Sequence, residues 1–531
     1  MKHILKILFL LIPLLAFAGG ERVMNPLQKL LYAEQFVAKY YVDPIDTTKV
    51  VEEGIKGMLK ALDPHSTYTT AEETRELNEP LEGNFSGIGV RFQMTHDTLY
   101  VIEATVGGPS EKAGILPGDR ILMCNDSVIS GGKLKNSEIM KRLRGPKGSK
   151  AVLAVMRGRE TMTFNLTRDD IPINSIEGTF MANDSIGYIT ISRFGASTAK
   201  EMAEAIRNLR SQGMRHLIID LSGNGGGYLR AATDICGMLL DKGDLIVFTD
   251  SPQNGRQEYR SSEKPLFAGG NVVVITNQYS ASASEILAGA IQDNDRGVVV
   301  GRRSFGKGLV QRPFTFPDGS MVRLTVSRYH TPSGRCIQKP YTSGDDDDYN
   351  TDMLTRYRSG ELMHADSVHR PDSLLYRTLR LGRPVYGGGG IMPDEFVALD
   401  TTYFTPYYRG LLAKGITAQY ALQYVDTHRA ELKKNYPTAE EFTGRFEITP
   451  DMLADLRERA VADSVKFTDT EYDLALPLVT AQLKGLIGRD IFDQAIYYRI
   501  VNPLMPEYSK ALEILATPGK YEEYFHKSPT D

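Results

Sequence analysis

Ser280-Ala281-Ser282-Ala283-Ser284 alternates hydroxyl and methyl side chains and runs straight into Glu285-Ile286-Leu287. Further on, Lys307 stands between Gly306 and Gly308, and Gln311 follows it at a spacing of four. A serine hydroxyl becomes a useful nucleophile when a neighbouring base takes its proton. Lysine can be that base only as the neutral amine, so its ordinary pKa of about 10.4 must fall, most simply through burial. The segment therefore has the parts of a serine hydrolase that uses lysine in place of histidine.

The surrounding elements should position these groups. An apolar run at 271–275 reads as a strand and 284–292 as a helix, which sets Ser282 at the mouth of that helix. Unpaired N–H groups and the helix dipole favour negative charge there, and the amide of Ala283 is the natural first donor to an oxyanion. Ser282-x-x-Glu285 also fits a capping box, which accounts for one serine and the glutamate but not for the alternation. The glycines beside Lys307 let backbone approach closely. If 307–311 is extended, Lys307 and Gln311 share a face, and Gln311 can accept a hydrogen bond from the lysine. A further strand, 216–221, ends in Ser222-Gly223-Asn224-Gly225-Gly226-Gly227, whose backbone can turn a second N–H toward the same place. Gly301-x-x-x-x-Gly306-Lys307 imitates a phosphate-binding loop. Gly308 stands where Ser or Thr should bind magnesium, however, and 309–313 reads as a strand where a helix should follow, so nucleotide binding is set aside.

The chain has 531 residues, enough for roughly three or four domains. With 41% hydrophobic and 24% charged residues it has the composition of a soluble globular protein, and a net charge of −4 gives no reason to expect nucleic acid. Lys2 and Lys6 precede an apolar stretch at 7–18 that ends Ala16-Phe17-Ala18, the pattern of a secretory signal. The stretch is short for a membrane span, although an uncleaved anchor is the alternative. Export to the periplasm follows, with membrane association as the variant. Cys124, Cys236 and Cys336 lie far apart, are odd in number and lack metal-ligand spacing. They read as buried small apolar residues, and no metal or cofactor is expected.

Residues 21–80 carry helical apolar periodicity up to the turn Asp63-Pro64-His65-Ser66, where His65 reads as a turn residue rather than a catalytic one. Residues 83–170 read as a β-rich module with strands near 88–92, 99–104, 120–124, 151–157 and 161–166 and one helix near 137–143. Gly87-Ile88-Gly89-Val90, Ala113-Gly114-Ile115 and Gly118-Asp119-Arg120-Ile121 stand in the order of a PDZ domain, which this module resembles. The resemblance implies a peptide added as a strand to the sheet edge, with its terminal carboxylate at the loop Gly87, Ile88, Gly89 and Val90. Residues 171–335 alternate strand and helix as an α/β core does. Residues 339–386 are polar and contain Asp345-Asp346-Asp347-Asp348. They read as a partly mobile surface insertion with a solvated charge run; a calcium loop would need a glycine and a glutamate that are missing. From 402 onward the chain looks helical, with no visible chemistry.

Taken in order, these motifs resemble those of the C-terminal processing peptidases, or tail-specific proteases, across roughly residues 30–400. Further matching runs are Asp63-Pro64-His65-Ser66-Thr67-Tyr68, Asp220-Leu221 before the glycine run, Phe305-Gly306-Lys307-Gly308, Thr331-Pro332-Ser333-Gly334 and Gly390-Ile391-Met392-Pro393-Asp394. The resemblance implies a crotonase-like core with Ser282 as nucleophile, Lys307 as general base, Gln311 as its orienter, and Ala283 and Gly226 as oxyanion donors. Ser222 stands where the family usually has Arg, and Gly225 where it often has Pro. The expected fold is multidomain α/β (α+β). Its parts are a signal at 1–18, a helical region at 19–82, a PDZ domain at 83–170, a protease core at 171–338 and 387–401, an insertion at 339–386 and a helical region at 402–531. The expected function is an exported serine endopeptidase that takes proteins or peptides by their apolar C-termini. An adaptor protein and a homo-oligomer are compatible partners, and Arg144 is a switch contact or a solvated turn arginine. The rival reading is a PDZ-bearing adaptor with an inert core; a small-molecule esterase or amidase is disfavoured by the peptide-capturing module.

Overall fold

The computed structural model describes residues 24–95, 97–344, 347–368 and 372–526; the signal segment and Asp345 and Asp346 fall outside them. The chain divides into two units, 1–59 and 60–531. In the first, Asn25 caps the helix Pro26–Tyr40 by accepting from the Leu27 amide at 2.9 Å, and Pro26 takes the first helical position, where its missing N–H costs nothing. None of that helix's side chains is buried. The second helix, Thr47–Lys60, runs to the boundary.

In the second unit the PDZ-like sheet runs in the order Val90–Thr95, Thr98–Ala104, Arg120–Cys124, Lys150–Arg157, Glu160–Thr167, all antiparallel. Val90–Thr95 is an edge strand, so its outer backbone groups are open to a further strand. Alternation buries Leu99, Val101, Leu153 and Val155 against Ile139 of the helix Asn136–Leu143. Met140 of the same helix is exposed.

The core is a six-stranded sheet in the order Ile176–Met181, Ile186–Ile191, His216–Asp220, Val272–Thr276, Val298–Gly301, Glu395–Phe396. The first pair is antiparallel and the rest are parallel. Its central strands are near-continuous apolar runs, as strands covered on both faces must be. The helices Thr198–Ser211, Leu229–Gly237 and Ala283–Asp293 fill one face with Met202, Ile206, Ile235, Leu287 and Ile291. The last two helices of the chain, Pro506–Ala516 and Lys520–His526, cover the other with Tyr508, Ile514, Tyr521 and Tyr524. The C-terminal region is thus not all accessory: its end completes the core, while the helices Pro406–Lys414 to Gln494–Val501 build a separate apolar cluster around Tyr407, Leu411, Phe442 and Leu483.

A second sheet pairs Met321–His330 with Thr67–Thr69, Leu245–Asp250 and Leu309–Thr315. Residues 339–386, expected as a loose surface insertion, are anchored. The helix Asp347–Arg358 buries Tyr349 and Arg356, and the Arg356 guanidinium donates to Glu361 at 2.8 Å and to the carbonyls of Arg303 and Ser304. Polar composition hid this, because the anchors are an arginine and a tyrosine, and the carbonyls of Arg303 and Ser304 that the arginine also holds lie outside the segment. Cys124 and Cys236 are buried as expected, whereas Cys336 is only partly so.

Candidate active site

Ser280 and Ser284 are fully buried, and both hydroxyls serve the backbone. Ser280 Oγ donates to Leu221 O at 2.8 Å and Ser284 Oγ to Asn224 O at 2.9 Å. They fasten the serine turn to the glycine loop. Ser282 between them is half-buried and adopts φ 56°, ψ −112°, left-handed backbone that a non-glycine residue holds only at a cost of about 1–3 kcal/mol. The turn thus lifts one serine of the three out of the packed layer at the mouth of the helix Ala283–Asp293. Among the described residues no acceptor takes the Ala283 N–H, leaving it available at the helix start.

Gly226 lies against this serine. With φ +102°, a Cβ there would sit 2.8 Å from Ser282 Cβ and 3.0 Å from Ala283 N, so only glycine fits. Its N–H, expected to face the cleft, donates instead to Asn224 Oδ1 at 2.8 Å. The buried Asn224 folds back over its own loop and anchors it by donating to Ile191 O at 2.7 Å. Gly225, by contrast, is exposed, and a Cβ there would meet nothing within 4 Å.

Lys307 sits on the connection from the strand Val298–Gly301 to Leu309–Thr315. Gly306 and Gly308 permit the close approach that the sequence suggested: a Cβ would lie 3.0 Å from Gly389 C and 2.8 Å from Gln338 N, respectively. Burial lowers the Lys307 ammonium pKa and Arg323 lowers it further, while Glu285 and Asp63 oppose both. Among the described residues no hydrogen bond joins Lys307 Nζ to Ser282 Oγ. Gln311 does not meet the lysine either; its Nε2 donates to Leu309 O at 3.2 Å and Thr325 Oγ1 at 3.4 Å. The pairing register shifts between Val310 and Gln311, and Lys307 lies ahead of the strand, so the even-spacing argument does not carry across.

The residue that joins Ser282 to the Lys307 loop is legible in the sequence only as a cap. Fully buried Glu285 accepts from Ser282 N at 2.8 Å and Lys307 N at 2.9 Å through one oxygen, and from Ser304 Oγ at 2.6 Å and Gly306 N at 2.7 Å through the other. Burial raises its pKa and these four donors resist the rise. The buried Tyr329 hydroxyl lies within hydrogen-bond distance of both Ser282 O, at 3.1 Å, and Lys307 O. Nothing in the sequence around Tyr329 pointed to it.

The turn at 63–66 also reaches the site. Asp63 accepts from the His65 and Ser66 amides and from Thr325 Oγ1 at 3.0 Å, beside Gln311. His65 Nε2 pairs with Tyr349 Oη at 2.6 Å, and burial together with the charges of Lys307 and Lys339 pushes its pKa down to about 4.

In the PDZ-like module, Gly87 ends the strand Asn84–Gly87, which pairs with Asp169–Pro172. Ile88 is buried and its carbonyl accepts from Ser110. Gly89 has φ +72°, and Val90 opens the edge strand. Arg144 is no solvated turn residue: it pairs with Glu79 and lies 4.6 Å over the Phe85 ring.

The peptidase family S41 profile matches residues 185–349, the stretch that holds Ser282, Lys307 and Gln311. The carboxy-terminal processing protease CtpA of Bacillus subtilis is 34% identical over 322 residues, 60% of this chain and 68% of that one. The chain belongs to peptidase family S41. A probable CtpA-like serine protease of Staphylococcus epidermidis is 35% identical over 314 residues, and the alignment spans 59% of this chain and 63% of the relative's length. Among solved structures, a photosystem II D1 C-terminal processing protease is 29% identical over 58% of this chain and 83% of that one, at a TM-score of 0.35, too low to bear on the fold. Within this S41 member a PDZ domain profile matches residues 86–167, and a family of unknown function, DUF8443, matches 407–493.

Proposed function

We propose that the chain is a serine endopeptidase with Ser282 as nucleophile and Lys307 as general base, acting on proteins held by their C-termini. The observation that carries this reading is the serine turn: Ser280 and Ser284 are buried in structural bonds, while Ser282 stands half-exposed in strained backbone, its amide linked through Glu285 to that of the half-buried Lys307. Neutral Lys307 takes the proton of Ser282 Oγ as the oxygen attacks the scissile carbonyl carbon. The Ala283 N–H meets the oxyanion, and the Gly226 N–H joins it when it leaves Asn224. The leaving amine takes its proton from the Lys307 ammonium, an acyl-enzyme forms, and water activated by the lysine releases it. Contacts of this kind often tighten only in the substrate complex, which suits a resting site in which Ser282, Lys307 and Gln311 stand apart. Gln311 is assigned the orienting role in that closed state.

The open edge of Val90–Thr95, with Gly87, Ile88 and Gly89 at its head, suits capture of an apolar tail. The signal-like segment supports export to the periplasm, free or membrane-associated. An adaptor protein delivering substrates, or a homo-oligomer, is compatible with this scheme. The domains are assigned at 83–170 for the PDZ domain and 171–338 with 387–401 for the core, whose second face the helices Pro506–Ala516 and Lys520–His526 cover.

The test is cleavage of an unfolded protein ending in an apolar tail, as the free carboxylate and as its amide. Turnover lost in both Ser282→Ala and Lys307→Ala and reduced by amidation supports the whole reading. Turnover indifferent to amidation removes the tail-reading role. The open dyad favours one rival, a PDZ-bearing adaptor with an inert core, and tail binding without any turnover in the wild type would support it.

A further inference from the structure

Four residues flank the loop that carries Lys307, and one side chain touches all four. Tyr349 Oη meets His65 Nε2 at 2.6 Å and Gln338 Nε2 at 3.5 Å. Its ring lies edge-on to Phe305 at 6.0 Å between centroids, and Lys339 Nζ stands 3.9 Å from its centre. Each contact leads directly to the lysine loop. Phe305 is two residues before Lys307, and its amide donates to Ser280 O at 2.9 Å. Gln338 Oε1 accepts from Gly308 N at 2.8 Å, and the Lys339 amide donates to Gly306 O at 2.9 Å. His65 feels the charge of Lys307 itself. Tyr349 is buried, yet it comes from the helix Asp347–Arg358 in the segment whose polar composition suggested a loose insertion.

We propose that Tyr349 is a positioning residue for Lys307: its ring, braced by the hydrogen bond to His65, closes the lysine loop against water and so keeps the amine in a dry setting. This rests on Lys307 being the base. The charged groups facing the lysine come from every side: Glu285 from the nucleophile helix, Asp63 and His65 from the turn at 63–66, and Arg323 from Met321–His330. Lys339 adds a second cation nearby, with Asp352 holding its ammonium at 3.0 Å. The acids favour the ammonium form of Lys307 and Arg323 opposes it; exclusion of water is the largest influence toward the neutral amine. Opening the wall should therefore act on the lysine more than on the serine.

The experiment is an NMR titration of full-length protein labelled with [6-13C]lysine, the Lys307 signal being assigned by its loss in Lys307→Met. This readout needs no turnover. In Tyr349→Ala the Lys307 pKa should rise by about one unit. Tyr349→Phe, which keeps the ring, should return most of that shift, and Tyr349→Leu provides the test if the alanine variant does not fold. The acid limb of the kcat/KM profile should move by the same amount, about a tenfold loss at a pH below the pKa, whereas a merely structural defect would lower activity equally at every pH. A Lys307 pKa unchanged in folded Tyr349→Ala or Tyr349→Leu overturns the proposal, as does a wild-type lysine titrating at its ordinary value. Turnover surviving in Lys307→Met would instead sink the base assignment, which the titration does not measure.

Discussion

Removing the Glu285 carboxylate tests whether Ser282 and Lys307, the proposed nucleophile and base, are held as one unit. In Glu285→Gln a single oxygen must replace two that together accept from Ser282 N, Lys307 N, Ser304 Oγ and Gly306 N. If the amide NH2 turned toward Ser282 and Lys307, two buried N–H donors would face a donor. Turned the other way, it orphans Gly306 N and meets the Ser304 hydroxyl, which already accepts from Ile391 N and must turn its proton away. The second orientation should win, at about 1–3 kcal/mol for one unsatisfied buried donor. Glu285→Ala orphans all four and leaves a cavity, so it should cost more than the glutamine variant. Melting should then fall by about 2–4 °C per kcal/mol for a folding unit of about 150–250 residues. Because the clamp sets the spacing of two reacting groups, kcat should fall more than stability implies: about tenfold in Glu285→Gln, and about a hundredfold in Glu285→Ala, where a shift near 1 Å is expected. Thermal melting and steady-state cleavage of an unfolded substrate measure the two effects. A Glu285→Ala enzyme with wild-type kcat would refute the clamp, even if its melting temperature had dropped.

Exchanging the three serines should separate chemistry from structure. Ser282→Gly should abolish cleavage while gaining about 1 kcal/mol in denaturant unfolding from relief of the positive φ, whereas Ser284→Ala should keep measurable turnover and lose about 1 kcal/mol with its bond to Asn224 O. Gly226→Ala places a methyl 2.8 Å from Ser282 Cβ and should eliminate turnover with the PDZ-like module still folded, as peptide binding would report. His65 titrates in the pH dependence of stability. Its folded pKa of about 4 lies below the ordinary value near 6.5, so its contribution is complete above pH 6.5 and is lost as pH falls toward 4. The loss amounts to about 3 kcal/mol, and the wild-type curve minus that of His65→Gln should show it in that window; a flat difference would mean that the imidazole is not held neutral.

Much of the site was legible because its signals are local. Alternating small residues between a strand and a helix, and glycines on both sides of a lysine, are constraints a chain imposes over a few residues. Those local constraints single out Ser282 and Lys307, and the resemblance adds Ala283 and Gly226. Other contacts lay beyond the reach of local pattern. Counting along an extended chain puts Gln311 and Lys307 on one face, but the lysine precedes the strand and the pairing register shifts at Gln311. A glycine loop reads as offering a free Gly226 N–H, but the Asn224 side chain two residues earlier accepts it. Glu285 was recognisable at three residues from Ser282 as a cap, and its hold on Lys307 spans a separation of 22 that no local pattern encodes.

The sequence alone determined the order of modules, the apolar strands that had to be covered on both faces, and the residue types able to make and receive an acyl group. Those follow from periodicity, steric demands and side-chain chemistry, which act over short stretches. Tertiary structure decided which elements supply the cover and the walls. The final helices seal the second face of the core sheet, and Tyr349 reaches His65 across a sequence separation of 284 to close the lysine loop. It also set the protonation tendencies of Lys307, Glu285 and His65, because desolvation depends on everything packed around a group, and neighbours in space are not neighbours in the chain.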